Sequence, residues 1–316
     1  MEKDKAYNRN FEAHRDRVRY QAKLALDDDI KTGDITTRAV VKNNKKTENA
    51  IIVAKDDGVL CGLQEAKAIL EEGGLQFVAK KMEGDLLKKK DIIATVRGNI
   101  GEILKRERTA LNYLQILSGI ATATYKLASK HPKKVASLRK THPGLCFSEK
   151  RAVKVGGGYT HRLGLSDGFL IKDNHLATIA KELFGDDPIT EEKKVVTIIE
   201  ALRRAKRYRI NNWMTDFFIE VEIESIKQAI AAAKLYKNEG IPDMILLDNM
   251  KTQEVARCVK AIKKEAGEGI LIEASGGITA QNINDYVESG VDIVSTSEIT
   301  LSAKPLDISM KIIGYK

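Results

Sequence analysis

From about residue 133 onward the chain repeats one pattern: a short apolar run, a polar residue or two, then a stretch of helical character. The apolar runs fall at 135–138, 168–171, 217–221, 243–247, 269–272 and 291–294. Strand-length runs separated by helix-length spacers imply a parallel sheet, because a crossover helix returns each strand in the same direction. A doubly wound sheet and a barrel both satisfy this. No Gly-x-Gly-x-x-Gly opens the first unit, which counts against a dinucleotide-binding doubly wound sheet. The residues that close the runs favour the barrel: Arg139-Lys140, Lys172, Glu222, Asp248, Glu273 with Ser275, and Ser295-Thr296-Ser297. In a parallel barrel such positions gather on the carboxyl face, where barrel enzymes place their chemistry.

The chain before residue 133 reads differently. Residues 1–30 read as a charged amphipathic helix. Residues 31–100 hold short β-like runs at 50–55, 75–80 and 92–96, parted by the turn signals Asp57-Gly58, Gly73-Gly74 and Glu83-Gly84-Asp85. A biotinyl or lipoyl carrier domain would need a lysine at a hairpin tip between apolar residues. None is evident, so the region reads as a scaffold sheet. Residues 100–130 carry Ile103, Leu104, Ala110, Leu111, Leu114, Leu117, Ile120 and Ala121 at three-and-four spacing, which predicts a long helix linking two domains. Gly101, Gly119 and Pro132 mark its start, a close approach and its end.

Composition narrows the function classes. Of 316 residues, 43% are hydrophobic and 31% charged, as in ordinary water-soluble domains. No apolar run reaches membrane-spanning length, and the charged first thirty residues do not resemble a secretory signal. Three dispersed cysteines, Cys61, Cys146 and Cys258, suit a reducing cytoplasm better than a disulfide framework. The net charge of +9 allows an acidic substrate, nucleic acid or a lysine-rich surface. The densest basic segment, 203–209, follows Glu191, Glu192 and Glu200, so it reads as a solvated helix obeying its dipole. No aromatic interleaving or RNA motif accompanies it, so nucleic acid is not an expected partner.

Residues 139–175 hold three of the five histidines, and cations that sit beside turn glycines instead of on a helix face. Such cations suit a small, highly anionic ligand. Further on, Glu273-Ala274-Ser275-Gly276-Gly277-Ile278 follows a late run and precedes a helix expected near Thr279. Glycines there let backbone N–H groups approach phosphate oxygens, at the place where barrels commonly bind phosphate. Thr296 and Ser297 add hydroxyl donors. Glu222 and Asp248, expected at adjacent strand ends, suit Mg²⁺ held largely through substrate oxygens. They also suit ion pairs with Lys140 or Lys172. Either lysine could in principle serve Schiff-base chemistry.

Taken in order, several motifs resemble one family. They are Gly33-Asp34-Ile35-Thr36-Thr37, Glu107-Arg108-Thr109-Ala110-Leu111-Asn112, Leu117-Ser118-Gly119-Ile120-Ala121-Thr122, Arg139-Lys140-Thr141 with Pro143-Gly144, the triple glycine with His161-Arg162, Lys172-Asp173-Asn174-His175, Glu220-Val221-Glu222, Leu247-Asp248-Asn249 and Ser275-Gly276-Gly277. Together they resemble the quinolinate phosphoribosyltransferases from residue 20 onward. The chain departs from that pattern at Leu138, Cys146, Thr160 and Ser297. The resemblance implies an N-terminal open α/β sandwich and a C-terminal incomplete parallel α/β barrel. The expected domains are 1–130 with the linker helix, 131–300 as the barrel, and 301–316 as a segment free to return to the N-terminal domain. It further implies a homodimer, or a hexamer of dimers, with shared active sites and Arg108 entering the partner's site. Arg108, Arg139, His161, Arg162 and Lys172 would hold quinolinate. Lys140, Ser275, Gly276, Gly277, Thr296 and Ser297 would hold the phosphates of phosphoribosyl pyrophosphate. Lys140, Glu222 and Asp248 would be catalytic, the two carboxylates with Mg²⁺.

Overall fold

A computed structural model of the chain describes residues 15–313. The expected N-terminal helix runs over Arg15–Ile30, and the rest of that expectation lies outside the described residues. In chain order the strands are β1 (Thr47–Ala54), β2 (Gly58–Val59), β3 (Gln76–Ala79), β4 (Leu86–Leu87), β5 (Ile92–Asn99), β6 (Val135–Ser137), β7 (Phe169–Ile171), β8 (Ile219–Ile223), β9 (Met244–Asp248), β10 (Leu271–Ser275), β11 (Ile293–Thr296) and β12 (Ile308–Ile312). The described residues fall into two compact units: 15–130 with 140–158 and 299–313, and 131–139 with 159–298. No helix among them is long and apolar enough to cross a membrane.

The first unit is built on an antiparallel sheet of order β12-β1-β5-β3. Ala50, Ile52 and Ala54 alternate inward along β1, the period-two signature of a half-covered sheet. The last strand, β12, pairs with β1, with Met310 opposite Ile52. The long helix spans Ile100–Ala128, and Asn99 caps it by accepting from the Gly101 and Glu102 amides. Its buried hydroxyls fasten the β2 segment. Ser118 Oγ accepts from Cys61 N at 3.0 Å and donates to Cys61 O at 2.9 Å, while Thr122 Oγ1 accepts from Val59 N at 2.8 Å. Gly119 is a close approach, since a Cβ there would collide with the Lys304 carbonyl and Pro305. Asp34 of the Gly-Asp-Ile-Thr-Thr motif caps the helix Ile35–Val40, accepting from Thr37 N at 2.9 Å. The triple glycine is a packing device as well. Cβ atoms on Gly156 or Gly158 would strike Thr124, so these glycines let the helix Cys146–Val155 lie against the long helix.

The second unit carries the parallel sheet of order β6-β11-β10-β9-β8-β7. Every strand but the first lies beside its neighbour in sequence, and β6 closes onto β11. Such an order describes a barrel with one seam, between β6 and β7. On the open edge of β6 a single bridge, Ala136 to Tyr159, stands where a full strand pair would be. Ala136, Tyr159, Phe218, Met244 and Ile293 pack together in the core. The basic helix, Glu191–Asn211, is a solvated and ion-paired surface, as its sequence suggests. Arg203 meets Glu239 at 2.6 Å and Arg209 meets Asp243 at 2.6 Å.

Two local expectations need correction. Strands β8, β10 and β11 run about two residues past their apolar cores, so Glu222, Glu273 and Ser295 lie inside strands instead of after them. Ladder pairing, which apolarity does not report, carries them on. The helix after Ser275 also begins late, at Ile283 and not near Thr279. Gly276 and Gly277 take φ of +95° and +62°. Asn282 then holds a turn, accepting from Thr279 N at 2.8 Å and donating to the Gly277 carbonyl at 3.0 Å.

Candidate active site in the barrel unit

The carboxyl ends of the parallel strands assemble one charged surface. Arg139 follows β6, Lys172 follows β7, Glu222 lies near the end of β8, and Asp248 closes β9 opposite Ser275 of β10. Lys172 Nζ is 2.9 Å from Glu222 Oε2. Burial pushes the Glu222 carboxyl up, Lys172 pulls it back down, and Asp248 raises it again. Two carboxylates that close, one of them buried, suit a shared cation, so the donor set fits Mg²⁺.

The glycines beside Asp248 are positional. A Cβ on Gly276 would overlap the side chain and amide nitrogen of Asn249, whose N–H donates to Ser275 O at 2.9 Å. Gly277 faces open space and is exposed. The backbone can therefore approach a phosphate here, although no helix terminus assists it. Thr296 is less available than its sequence position suggests. Its hydroxyl donates to Ile278 O at 2.6 Å and accepts from Glu298 N at 3.1 Å, so it braces the turn.

His161 and Arg162 enter on the loop after Tyr159 and are 5% and 6% exposed. The loop is tied by Asp167, which accepts from the Leu163 and Gly164 amides at 2.7 Å each. Arg162 Nη1 donates to the Gly168 carbonyl at 3.2 Å. Burial lowers the Arg162 guanidinium from its ordinary range, and Arg139 adds to the lowering while Glu220 opposes it. His161 Nε2 lies 3.2 Å from Glu220 Oε2 and 3.4 Å from Glu273 Oε2, both carboxylates being wholly buried. Its Nδ1 accepts from the Arg162 amide at 2.7 Å, and Phe218 packs edge-on against the ring. Burial works against charge on His161, while Glu273 and Glu220 pull its value up to about 9. A second ring proton would have to sit on Nδ1, where the Arg162 amide already points. The geometry therefore favours a neutral ring with its proton on Nε2. Burial and Glu273 push the Glu220 carboxyl up, while His161 and Arg162 oppose the rise.

Sequence reading missed these two partners. In the sequence Glu273 stands only as a strand-end residue, and Glu220 only as part of a motif. The available signal was period two: Glu220 and Glu222 share one face of a strand that is buried throughout. A cavity of about 450 Å³ near the helices Asp173–Phe184 and Glu191–Asn211 shares only Glu222 with the expected site residues. Its lining sets Leu176, Ala180, Ile189 and Ile198 beside the carboxylates of Asp173, Asp186, Asp187 and Glu224, a combination that does not suit phosphates.

The quinolinate phosphoribosyl transferase models match the chain almost throughout, the N-terminal domain over residues 34–118 and the C-terminal domain over 120–311. The chain belongs to the quinolinate phosphoribosyltransferase family. It is 34% identical over 296 residues to the probable nicotinate-nucleotide pyrophosphorylase [carboxylating] of Methanothermobacter thermautotrophicus, covering 91% of this chain and 96% of that one. Similarity to the Bacillus subtilis protein of the same description is 35% over 292 residues, covering 90% of each. The crystal structure of NadC from Streptococcus pyogenes superposes with a TM-score of 0.78 at 31% identity, covering 96% of this chain and 98% of that one. Of the residues that the family pattern singles out, Arg139, His161, Arg162, Lys172, Glu222, Asp248, Ser275, Gly276, Gly277, Thr296 and Ser297 lie in the barrel unit. Arg108 and Lys140 belong to the antiparallel unit, and both are exposed. The Lys140 carbonyl accepts from Thr300 Oγ1 at 2.8 Å.

Proposed function

We propose that the protein transfers the phosphoribosyl group of phosphoribosyl pyrophosphate to quinolinate. Carbon dioxide is lost, and the products are nicotinate mononucleotide and pyrophosphate, a step of NAD synthesis. The observation that carries the reading is family membership over nearly the whole chain, joined to a cation-rich face on the barrel. Arg139, His161, Arg162 and Lys172, with Arg108 from a partner subunit of a homodimer, form the quinolinate set in this reading. Several cations exceed what one carboxylate needs, and arginine forks suit carboxylates. Lys140 and the Ser275–Gly277 backbone serve the phosphates. Glu222 or Asp248 stabilises the positive charge that develops on the sugar as pyrophosphate departs. Such catalysis is positioning plus preorganised electrostatics, with no covalent nucleophile. Mg²⁺, held by Glu222 and Asp248 largely through substrate oxygens, would neutralise charge on the leaving group. Once the glycosidic bond has formed, the adjacent pyridinium nitrogen stabilises the C2 anion left as carbon dioxide departs, and that carbon takes up a proton to give nicotinate mononucleotide. The protein then needs to hold the ring while C2 is protonated from solvent. The cysteine usage fits a cytoplasmic enzyme.

The test is incubation with quinolinate, phosphoribosyl pyrophosphate and Mg²⁺, assayed for carbon dioxide and the mononucleotide. Quinolinate should react far better than nicotinate. Equal or better turnover of nicotinate would sink the reading in favour of a sister phosphoribosyltransferase.

A further inference from the structure

His161 stands in the quinolinate set as a substrate contact, yet its ring is already engaged inside the protein. Nε2 faces Glu220 on β8 and Glu273 on β10, at 3.2 Å and 3.4 Å. Nδ1 takes the Arg162 amide at 2.7 Å. The ring edge rests on Phe218, and only 5% of the residue is exposed. His161 also holds a φ of +51°, a conformation that non-glycine residues adopt only when their surroundings enforce it. Its ring contacts are the two carboxylates facing Nε2, the Arg162 amide at Nδ1 and the Phe218 ring.

We infer that Glu220 and Glu273 are positioning residues: they grip the Nε2 edge of His161, and His161 through Nδ1 fixes the Arg162 backbone, so that His161 presents Arg162 to the anionic substrate without touching it. The inference rests on the quinolinate reading for the identity of that substrate. The physical reason is preorganisation. A guanidinium that must meet a carboxylate in one fork geometry binds best when its backbone is already held, because less ordering remains to be done on binding. Arg162 is held twice, at its amide by His161 and at Nη1 by the Gly168 carbonyl. The three ligating atoms of His161, Glu220 and Glu273 lie within 4.8 Å of one another, so a metal ion in place of a proton is the rival reading of the same cluster.

The experiment has two arms on the full-length protein. In the first, ¹⁵N NMR of the histidine side chains is recorded without ligand and with saturating quinolinate, His161 being assigned by its loss in His161→Gln. Expected is an unprotonated, hydrogen-bonded Nδ1 and a protonated Nε2, both nearly unmoved by quinolinate. A proton on Nδ1, or an Nε2 signal that moves to the ligand, would overturn the inference. So would a stoichiometric metal ion in the purified protein. In the second arm, Glu273→Leu should raise the KM for quinolinate by about tenfold or more while changing kcat by less than about threefold. The KM for phosphoribosyl pyrophosphate should stay put. Glu273→Gln keeps an oxygen to accept from Nε2–H and should restore quinolinate binding. Equal losses in Gln and Leu variants, or none in either, would refute the role. Should Glu273→Leu not fold, Glu220→Leu with Glu220→Gln makes the same comparison. If the wild-type protein neither binds nor turns over quinolinate, the substrate reading fails, while the first arm still decides on the unliganded ring whether the clamp exists.

Discussion

Lys172, at the start of one helix, reaches Glu222 on the neighbouring strand and ends 2.9 Å from its Oε2. The pair joins a residue of the expected quinolinate set to one of the expected Mg²⁺ carboxylates. It also has a pH signature. Burial raises the Glu222 carboxyl above its ordinary value of 4.5, and Lys172 is the group that restrains the rise. A carboxyl raised in the folded state stabilises fully below its unfolded value and loses that contribution as pH rises through the folded value. Lys172→Ala should therefore leave the unfolding free energy almost unchanged near pH 4 and lower it at pH 7, by up to about 1 kcal/mol since the lysine is nearly half exposed. An equal loss at both pH values would show that the pair has no electrostatic coupling.

Gly276 and Gly277 adjoin in the chain but should respond differently to alanine. Gly276 has φ of +95° and no room for a Cβ beside Asn249, whereas Gly277 has φ of +62° and open space. Gly276→Ala should displace Asn249 and with it Asp248, lowering kcat/KM by at least about a hundredfold. Gly277→Ala pays only the backbone strain, about 1 kcal/mol. Steady-state kinetics and melting curves of both variants test the ordering, and a milder effect at Gly276 than at Gly277 would contradict it.

Asp34 should matter to stability and not to chemistry. Its carboxylate caps the helix Ile35–Val40, and hydrogen bonds from Thr37 hold it below its ordinary 3.8. Asp34→Ala should cost about 1 kcal/mol in denaturant unfolding at pH 7. A depressed carboxylate stabilises above its unfolded value and stops doing so as pH falls through its folded value, so wild type and variant should converge in acid. Catalytic constants should not change.

Arg108 supplies the test of a shared site. The residue is exposed on the long helix of the antiparallel unit. Arg108→Ala and Lys172→Ala should each weaken quinolinate binding without unfolding the protein. When the two variants are mixed and allowed to reassemble, a shared site predicts restored activity, approaching one intact site per mixed dimer. Activity that stays at the level of the separate variants would show that each subunit uses its own Arg108.

What the sequence determined by itself was order and type. Apolar runs spaced by helical stretches demand parallel strands, because burial on both faces removes polar alternation. That rhythm located all six barrel strands, though three of them run on past the residues expected to close them. The long helix at Ile100–Ala128 was equally legible, since its apolar positions recur at the helical period over many turns. The roles of single polar residues were decided in three dimensions. Thr296 looks like a phosphate donor in the sequence, but its hydroxyl is spent on Ile278 and Glu298, the first of them eighteen residues away in the chain. The triple glycine looks like a ligand loop, and two of its members instead clear space for Thr124. The grip of Glu220 and Glu273 on His161 joins residues 53 apart in sequence across two strands that are not neighbours in the sheet. Periodicity reports which face a residue occupies. Only barrel closure decides which charges on that face meet, because strand stagger and the path of the loop after Tyr159 set those distances.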